Sequence, residues 1–286
     1  MYNYRQSLKS DISDELINTY LLRPIAGVIV RFLYSTPLTP NHVTIASTIA
    51  GLIAAMFYLQ GQSGSIAVAG VLVTLKDILD SADGQLARAK NQYTRIGRFL
   101  DSIGDFVVDV AVFTAIGWVL FIKSGDPLML PWALAGLMGI SLRVSYHVFY
   151  HTSFLHLEQK YSGNRVVEEI LPEDLEGDRL VVTLQRIFQM IYGWQDRLIV
   201  RLDEWCRAGK PEETFLKQWY SDIPALRSSG FLGLGTELFL LMLCSVFNEL
   251  ELYLFLNVFL MNGILAACVL YRRAILAVRI KTGDGV

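Results

Sequence analysis

Two short segments decide how this chain folds: Asp80-Ser81-Ala82-Asp83-Gly84-Gln85-Leu86-Ala87-Arg88 and, eight residues later, Gly97-Arg98-Phe99-Leu100-Asp101-Ser102-Ile103-Gly104-Asp105. Apolar runs flank them at about residues 66–79 and 99–122. Asp80 and Asp83 are three apart, and Asp101 and Asp105 are four apart, so each pair shares one helical face. The loop between the segments folds the second helix antiparallel to the first, and both pairs can then converge. An ionised side chain at mid-membrane costs ~2.5–3.5 kcal/mol even on a lenient insertion scale. Four acids at the ends of apolar helices therefore gain the protein no obvious stability. Converging carboxylates repel unless protonated or bridged by cations, and oxygen-only ligands suit Mg²⁺, Mn²⁺ or Ca²⁺. Arg88 lies one to two turns past Asp83, placed to meet phosphates beside such an ion. Gly84 and Gly97 fit places where a ligand or a helix comes close to the backbone.

The rest of the chain agrees with a membrane setting. Of 286 residues, 53% are hydrophobic and only 18% charged, against roughly 25% charge in soluble domains. Mean hydropathy is +0.40. The net charge of −2 gives no basis for a nucleic-acid partner held by bulk electrostatics. Three scattered cysteines (Cys206, Cys244, Cys268) form neither a disulfide framework nor a zinc pattern. Apolar runs of about 20 residues, the length that crosses a bilayer as a helix, occur six times. They lie near residues 43–59, 66–79, 99–122, 128–148, 231–247 and 252–271. The second is short as a purely apolar run, so its helix is expected to continue into the acidic segment.

Loop charges set an orientation. Arg5, Lys9, Arg23 and Arg31 precede the first run, Arg88, Lys90, Arg95 and Arg98 follow the second, and Arg272, Arg273, Arg279 and Lys281 follow the sixth. The intervening turns carry only Lys123. Both termini and the long segment at 151–230 are therefore expected in the cytoplasm. Residues 13–34 recur at near-helical spacing but are broken by Arg23, Pro24 and Arg31, which reads as an amphipathic surface helix rather than a signal peptide. The 151–230 segment has ten Lys/Arg and thirteen Asp/Glu. Within it, Ile187, Met190, Ile191, Trp194, Leu198, Ile199, Leu202 and Trp205 recur at helical spacing, which predicts an amphipathic helix on the membrane surface or on the bundle. The expected fold is an all-α integral membrane bundle of six transmembrane helices. The expected divisions are an N-terminal surface arm (1–36), helices one to four with the acidic motif at 80–105 (37–150), a cytoplasmic insertion between helices four and five (151–229), and helices five and six with the tail (230–286).

The pattern D-x-x-D-G-x-x-A-R-x8-G-x-x-x-D-x-x-x-D resembles the signature of the CDP-alcohol phosphotransferase family, and every fixed position is present between Asp80 and Asp105. Thr39-Pro40-Asn41 also looks like that family's entry to its first span. The 151–230 region has no counterpart in the compact members. The resemblance implies transfer of a phosphoryl-alcohol, most readily phosphatidyl from CDP-diacylglycerol, to an acceptor hydroxyl with release of CMP, in phospholipid biosynthesis. It implies that Asp80, Asp83 and Asp101 hold divalent metal, Mg²⁺ or Mn²⁺, as one or two ions. Asp105 would be the general base and would touch a second ion where there are two. Gly84 and Ala87 would line the cytidine site, Arg88 would bind the diphosphate, and Gly97 would complete the site for the CDP moiety. It also implies a multi-pass protein of a prokaryotic plasma membrane with a cytoplasmic site, CDP-alcohol and lipid as partners.

Other residues admit sharper and blander readings. Lys76 stands four before Asp80, where an i, i+4 ion pair is the simpler reading and a phosphate contact the sharper one. Asp109, one turn beyond Asp105, is expected to partner the acids rather than bind metal. Arg143, Arg227 and Arg272 could form a basic pocket for a phosphorylated acceptor, although helix-end arginines often only snorkel. Glu237 is an intramembrane acid without a nameable partner. Ala135-x-x-x-Gly139 allows close helix packing and a homodimer. Within the same chemistry, a soluble CDP-alcohol could donate to a lipid or polyol hydroxyl. An ion-coupled transporter would also keep intramembrane acids, but no inverted repeat is present and all four acids sit in one hairpin. Asp-rich prenyltransferases need two separate motifs and more spans.

Overall fold

A computed structural model of the chain describes residues 4, 15–158, 168, 170–171, 178–207 and 212–282. The described residues are helices and their connections, with no strand among them. A π-helical turn (Asn18–Leu22) leads into α1 (Arg23–Leu33), followed by α2 (Pro40–Leu59), α3 (Ser63–Lys90), α4 (Arg95–Ser124) and α5 (Met129–Leu157). Then come α6 (Arg179–Arg207), the short α7 (Glu213–Ser221) and α8 (Ile223–Ser229), and α9 (Leu234–Val246). The last helix, α10 (Leu250–Thr282), contains two π-helical stretches.

The chain is an integral membrane protein: α2, α4 and α10 are each long and apolar enough to cross a bilayer. The α8–α9 pair makes a fourth span if its two parts, bent by 41°, cross together. Length and composition thus mark three or four helices rather than the six expected. The acidic end of α3 and the polar residues of α5, Arg143 and three histidines among them, lower their hydropathy. The helix begun by the short second run does continue through the acidic segment, as far as Lys90.

Local chemistry explains the boundaries. Thr39 caps α2, its hydroxyl 2.7 Å from His42 Nδ1, and Pro40 occupies the first turn, where no amide donor is required. Asn91 ends α3 in the left-handed conformation at φ 53°, and Gln92 N donates to Ala87 O at 2.9 Å. Thr94 then caps α4 by accepting from Gly97 N at 3.0 Å. These two caps leave a tight link that folds α4 back along α3.

Between apolar helices in lipid, association rests on close packing and on small residues at the contact. A Cβ on Gly51 would lie 2.5 Å from Val108 Cγ1, and one on Gly104 would lie 2.5 Å from Thr48 Oγ1. Small residues therefore let α2 and α4 approach backbone to side chain. The main core joins α2, α3, α4, α5, α9 and α10 through residues such as Tyr58, Ile66, Phe113, Ile140, Leu241 and Tyr253. Tyr58 Oη and Ser245 Oγ are hydrogen-bonded within it at 2.6 Å.

The surface arm is described from Glu15 onward, apart from Tyr4; residues 5–14 of it lie outside the described residues. α1 buries Ala26 and Val30 against Ala82 and Leu86 of α3 and leaves Ile25, Val28 and Phe32 exposed. The insertion helix α6 appears where the periodicity predicts it, with a largely polar set of residues toward the bundle and much of its apolar side exposed. Gln185, Gln195, Ile199 and Asp203 face the bundle, whereas Met190, Trp194, Leu198 and Trp205 are exposed. Its polar face makes specific contacts: Gln195 Oε1 accepts from Ser145 of α5 at 2.6 Å. Asp203 accepts from Tyr150, Trp219 and Tyr220 at 2.8–2.9 Å. The parts of the insertion at 159–167, 169, 172–177 and 208–211 lie outside the described residues.

Candidate active site

The α3–α4 hairpin brings the acids together as their spacing requires. One carboxylate oxygen each from Asp80, Asp101 and Asp105 lies within 4.8 Å of the others. Among the described residues this is the group of acids able to share a metal ion. One oxygen of Asp101 is buried with no hydrogen-bond partner among the described residues, which fits a donor set able to hold a cation. Asp83 is held apart from this triad. It is buried, and its Oδ2 accepts from Thr44 Oγ1 of α2 at 2.5 Å.

All four acids line one cavity of about 430 Å³, together with Gly84 and Arg88. A Cβ on Gly84 would meet only the Arg88 guanidinium, at an ordinary 3.5 Å. Packing therefore does not demand glycine there, and its bare backbone enlarges the cavity instead. Gly97 differs: a Cβ would fall 2.7 Å from Asn41 Oδ1, so this glycine admits the start of α2. Neither Gly97 nor Ala87 lines the cavity.

Lys76 makes a contact that spacing alone did not favour. Its ammonium donates to Asp105 across the hairpin, and the expected partner Asp80 lies at 3.9 Å. The side chain is 1% exposed and does not line the cavity, which removes the reading of Lys76 as a phosphate contact.

The three arginines considered for an acceptor pocket do not come together, and none lines the cavity. Arg143 is fully buried in an ion pair with Glu237 of α9 and also donates to Asn262 Oδ1 at 2.6 Å. Arg272 lies 3.5 Å over the Tyr150 ring and donates to Trp219 O. Arg227 is exposed on α8.

The cavity has instead a second wall that sequence reasoning missed, made by α5 and α6. His147, His151 and Thr152 of α5 face Phe188, Tyr192 and Asp196 of α6 across it. Tyr192 Oη donates to Ser102 O at 2.8 Å, and Phe188 packs on Phe99 with ring centroids 5.5 Å apart, so α6 is clamped to the acid-bearing helix. Glu168 closes the wall by accepting from Arg98, from Arg95 at 2.9 Å and from Gln185 at 3.1 Å. Burial, reinforced by the Glu168 charge, pushes the Asp196 carboxyl up to about 6. The histidines were visible in the sequence, but only tertiary placement shows that His147 and His151 line the cavity while His42 and His156 do not.

Several known proteins are similar to this chain. Bifunctional IPC transferase and DIPP synthase from Aquifex aeolicus is 33% identical over 135 residues, 47% of this chain and 29% of the relative. Phosphatidylinositol phosphate synthase from Mycolicibacterium smegmatis is 32% identical over 168 residues, 57% of this chain and 66% of the relative. The enzyme of that name from Mycobacteroides abscessus is 35% identical over 98 residues, 34% of this chain and 42% of the relative. The chain thus spans less than two thirds of the length of these relatives. A model of the CDP-alcohol phosphatidyltransferase family matches residues 37–192, more than half of the chain, and reaches Tyr192 of α6. The family match thus runs into the insertion helix as far as Tyr192. With its acids, Arg88 and this match in register, the chain belongs to the CDP-alcohol phosphatidyltransferase family.

Proposed function

We propose that this protein is a membrane-embedded phosphatidyltransferase that moves the phosphatidyl group of CDP-diacylglycerol to an acceptor hydroxyl and releases CMP. The observation that carries this reading is the meeting, in one cavity, of the Asp80–Asp101–Asp105 oxygens with Arg88 and the bare backbone of Gly84. Several relatives are named phosphatidylinositol phosphate synthases, which makes a phosphorylated inositol the first acceptor to test.

The donor set suits a hard divalent cation, Mg²⁺ or Mn²⁺, held by Asp80, Asp101 and Asp105 with Asp83 beside them. Such an ion supplies neutralisation of the diphosphate oxygens. Arg88 binds the diphosphate and orients the donor. Asp105 accepts the proton of the acceptor hydroxyl. The acceptor oxygen then bonds to the phosphorus bearing diacylglycerol, and the bond from that phosphorus to the bridging oxygen breaks. CMP leaves with the electron pair. Phe188 and Tyr192 screen this chemistry from bulk water.

The proposed membrane layout has six spans: α2, α3, α4, α5, the bent α8–α9 pair and α10. The termini, the cavity and the 151–229 insertion face the cytoplasm of a prokaryotic cell, and 1–36 lies along the membrane surface. Loop charges support this arrangement, as do the apolar faces that α1 and α6 leave exposed. The test is CMP release by purified protein with Mg²⁺ and CDP-diacylglycerol against inositol phosphate, glycerol phosphate, serine, inositol and choline. Turnover with one of these is expected. Turnover only of CDP-choline or CDP-inositol would transfer the donor role to a soluble alcohol, and failure to bind any cytidine diphosphate compound would end the proposal.

A further inference from the structure

The insertion helix α6 carries a face that the cavity does not use. At about 100° per residue, Arg186, Arg197 and Arg201 fall in one sector of the helix with Met190 among them, and Trp194, Leu198 and Trp205 fill the next. All of these side chains are exposed. Of the acids in the helix, Asp196, Asp203 and Glu204, only Glu204 is exposed, so this face is net positive. Arg273 of α10, 3.8 Å over the Trp205 ring, extends the positive charge past the end of the helix. The inner side of α6 packs on helices that carry apolar runs. Gln195 Oε1 accepts from Ser141 at 3.0 Å and from Ser145 at 2.6 Å, and Cys206 Sγ donates to Val269 O at 3.9 Å. Ser141 and Ser145 lie within the apolar run at 128–148, and Val269 within that at 252–271. The middle and end of α6 therefore lie beside these runs rather than beyond their ends, and its outer face looks away from the bundle at that depth.

An apolar sector edged by arginines, at that depth, matches a helix lying in the membrane interface. Tryptophan rings settle at headgroup level, and long arginine stems let the guanidinium reach the phosphates while the stem stays in apolar surroundings. The guanidinium fork suits a pair of phosphate oxygens, and a net positive face favours headgroups that bring no cation of their own. We propose that α6 is an in-plane interfacial helix whose Arg186, Arg197 and Arg201 bind the anionic phospholipid headgroups of the surrounding bilayer. This rests on the membrane layout proposed above and not on the reaction. Phe188 and Tyr192 on the inner side of the same helix wall the cavity, so the lipid contact also anchors the helix that screens the acids.

The test uses the full chain in bilayer nanodiscs of phosphatidylcholine containing phosphatidylglycerol. A nitroxide on Met190→Cys, at a position 76% exposed, reports collisions with oxygen or with a water-soluble nickel chelate; the three native cysteines are buried. Oxygen is expected to dominate. Dominance of nickel would put the face in water and overturn both the placement of α6 and the proposal. Shielding from both would mean that a second copy of the chain covers the face, and would overturn the proposal as well. Separately, spin-labelled phosphatidylglycerol and phosphatidylcholine are compared on unlabelled protein by their motionally restricted fractions. Wild type is expected to favour phosphatidylglycerol about threefold at low salt, and Arg186→Gln/Arg197→Gln/Arg201→Gln to lose at least about half of that preference. The corresponding triple lysine variant should keep most of it. In wild type the preference should weaken as salt is raised, a check that needs no variant. An unchanged preference in the glutamine variant, with the Met190 position open to oxygen, would overturn headgroup binding and leave the membrane layout standing.

Discussion

Arg143 of α5 and Glu237 of α9 are each fully buried and paired with each other, 94 residues apart in sequence. Glu237 also accepts from Asn257 Nδ2 at 3.0 Å, and Arg143 donates to Asn257 O at 3.1 Å, so α10 joins the network. Breaking a buried pair from one side leaves an uncompensated charge and costs about 3–5 kcal/mol, whereas replacing both partners with apolar groups is often nearly neutral. Arg143→Met and Glu237→Leu are each expected to destabilise by about that amount, and the double variant by much less. Thermal unfolding in one detergent measures all three, and additive losses would show that the pair does not act as a unit.

Asp105→Asn keeps the size of the side chain and removes its capacity to accept a proton. CMP release is expected to fall by at least about a hundredfold, the lower end of general-base contributions. The helical content and gel-filtration profile should match wild type, because the carboxamide oxygen of the variant can still accept a hydrogen bond from Lys76. Wild-type turnover in this variant would remove Asp105 from the base role.

The acidic hairpin was legible because its information is local. Spacings of three and four place Asp80 with Asp83 and Asp101 with Asp105, and the polar link at residues 91–94 fixes the turn. What depends on tertiary placement was not legible. The i, i+4 relation pointed Lys76 at Asp80, and that pair is present at 3.9 Å, but the fold adds a closer one to Asp105 of the facing helix that no local spacing announces. For Arg143 the sequence offered a pocket or a snorkelling side chain, and neither named its partner Glu237, which lies 94 residues along the chain. For α6 the helix was legible and its facing was left open between membrane surface and bundle; Met190 and Leu198 are exposed while Gln185 and Gln195 are buried. The buried glutamines of α6 find partners on α5 and on Glu168, contacts that helical periodicity does not report.

Asp196 gives a pH signature. Its carboxyl is pushed up to about 6 by burial and then by Glu168, so the folded protein holds the proton more tightly than the unfolded chain. The favourable contribution is complete below about pH 4 and is lost as pH rises through about 6. Asp196→Asn removes the charged form. It is therefore expected to be more stable than wild type at pH 7.5, by ~2 kcal/mol after solvent screening, and to converge with wild type near pH 4. Melting curves at intervals of half a pH unit check this, and a constant difference across the range would contradict it.

Glu168 neutralises two arginines at the edge of the cavity, and only Arg98 of the two lines it. Glu168→Gln keeps a hydrogen-bonding side chain but releases one net positive charge beside the space left for the acceptor. A phosphorylated acceptor gains from that charge and its unphosphorylated counterpart does not. The ratio of kcat/KM for inositol phosphate over inositol is expected to rise by about fivefold, from a partly screened charge–charge interaction across the cavity. Because that gain is electrostatic, it should shrink as ionic strength increases. An unchanged ratio at low salt would mean that the acceptor binds out of reach of Arg98, nearer the histidines of α5.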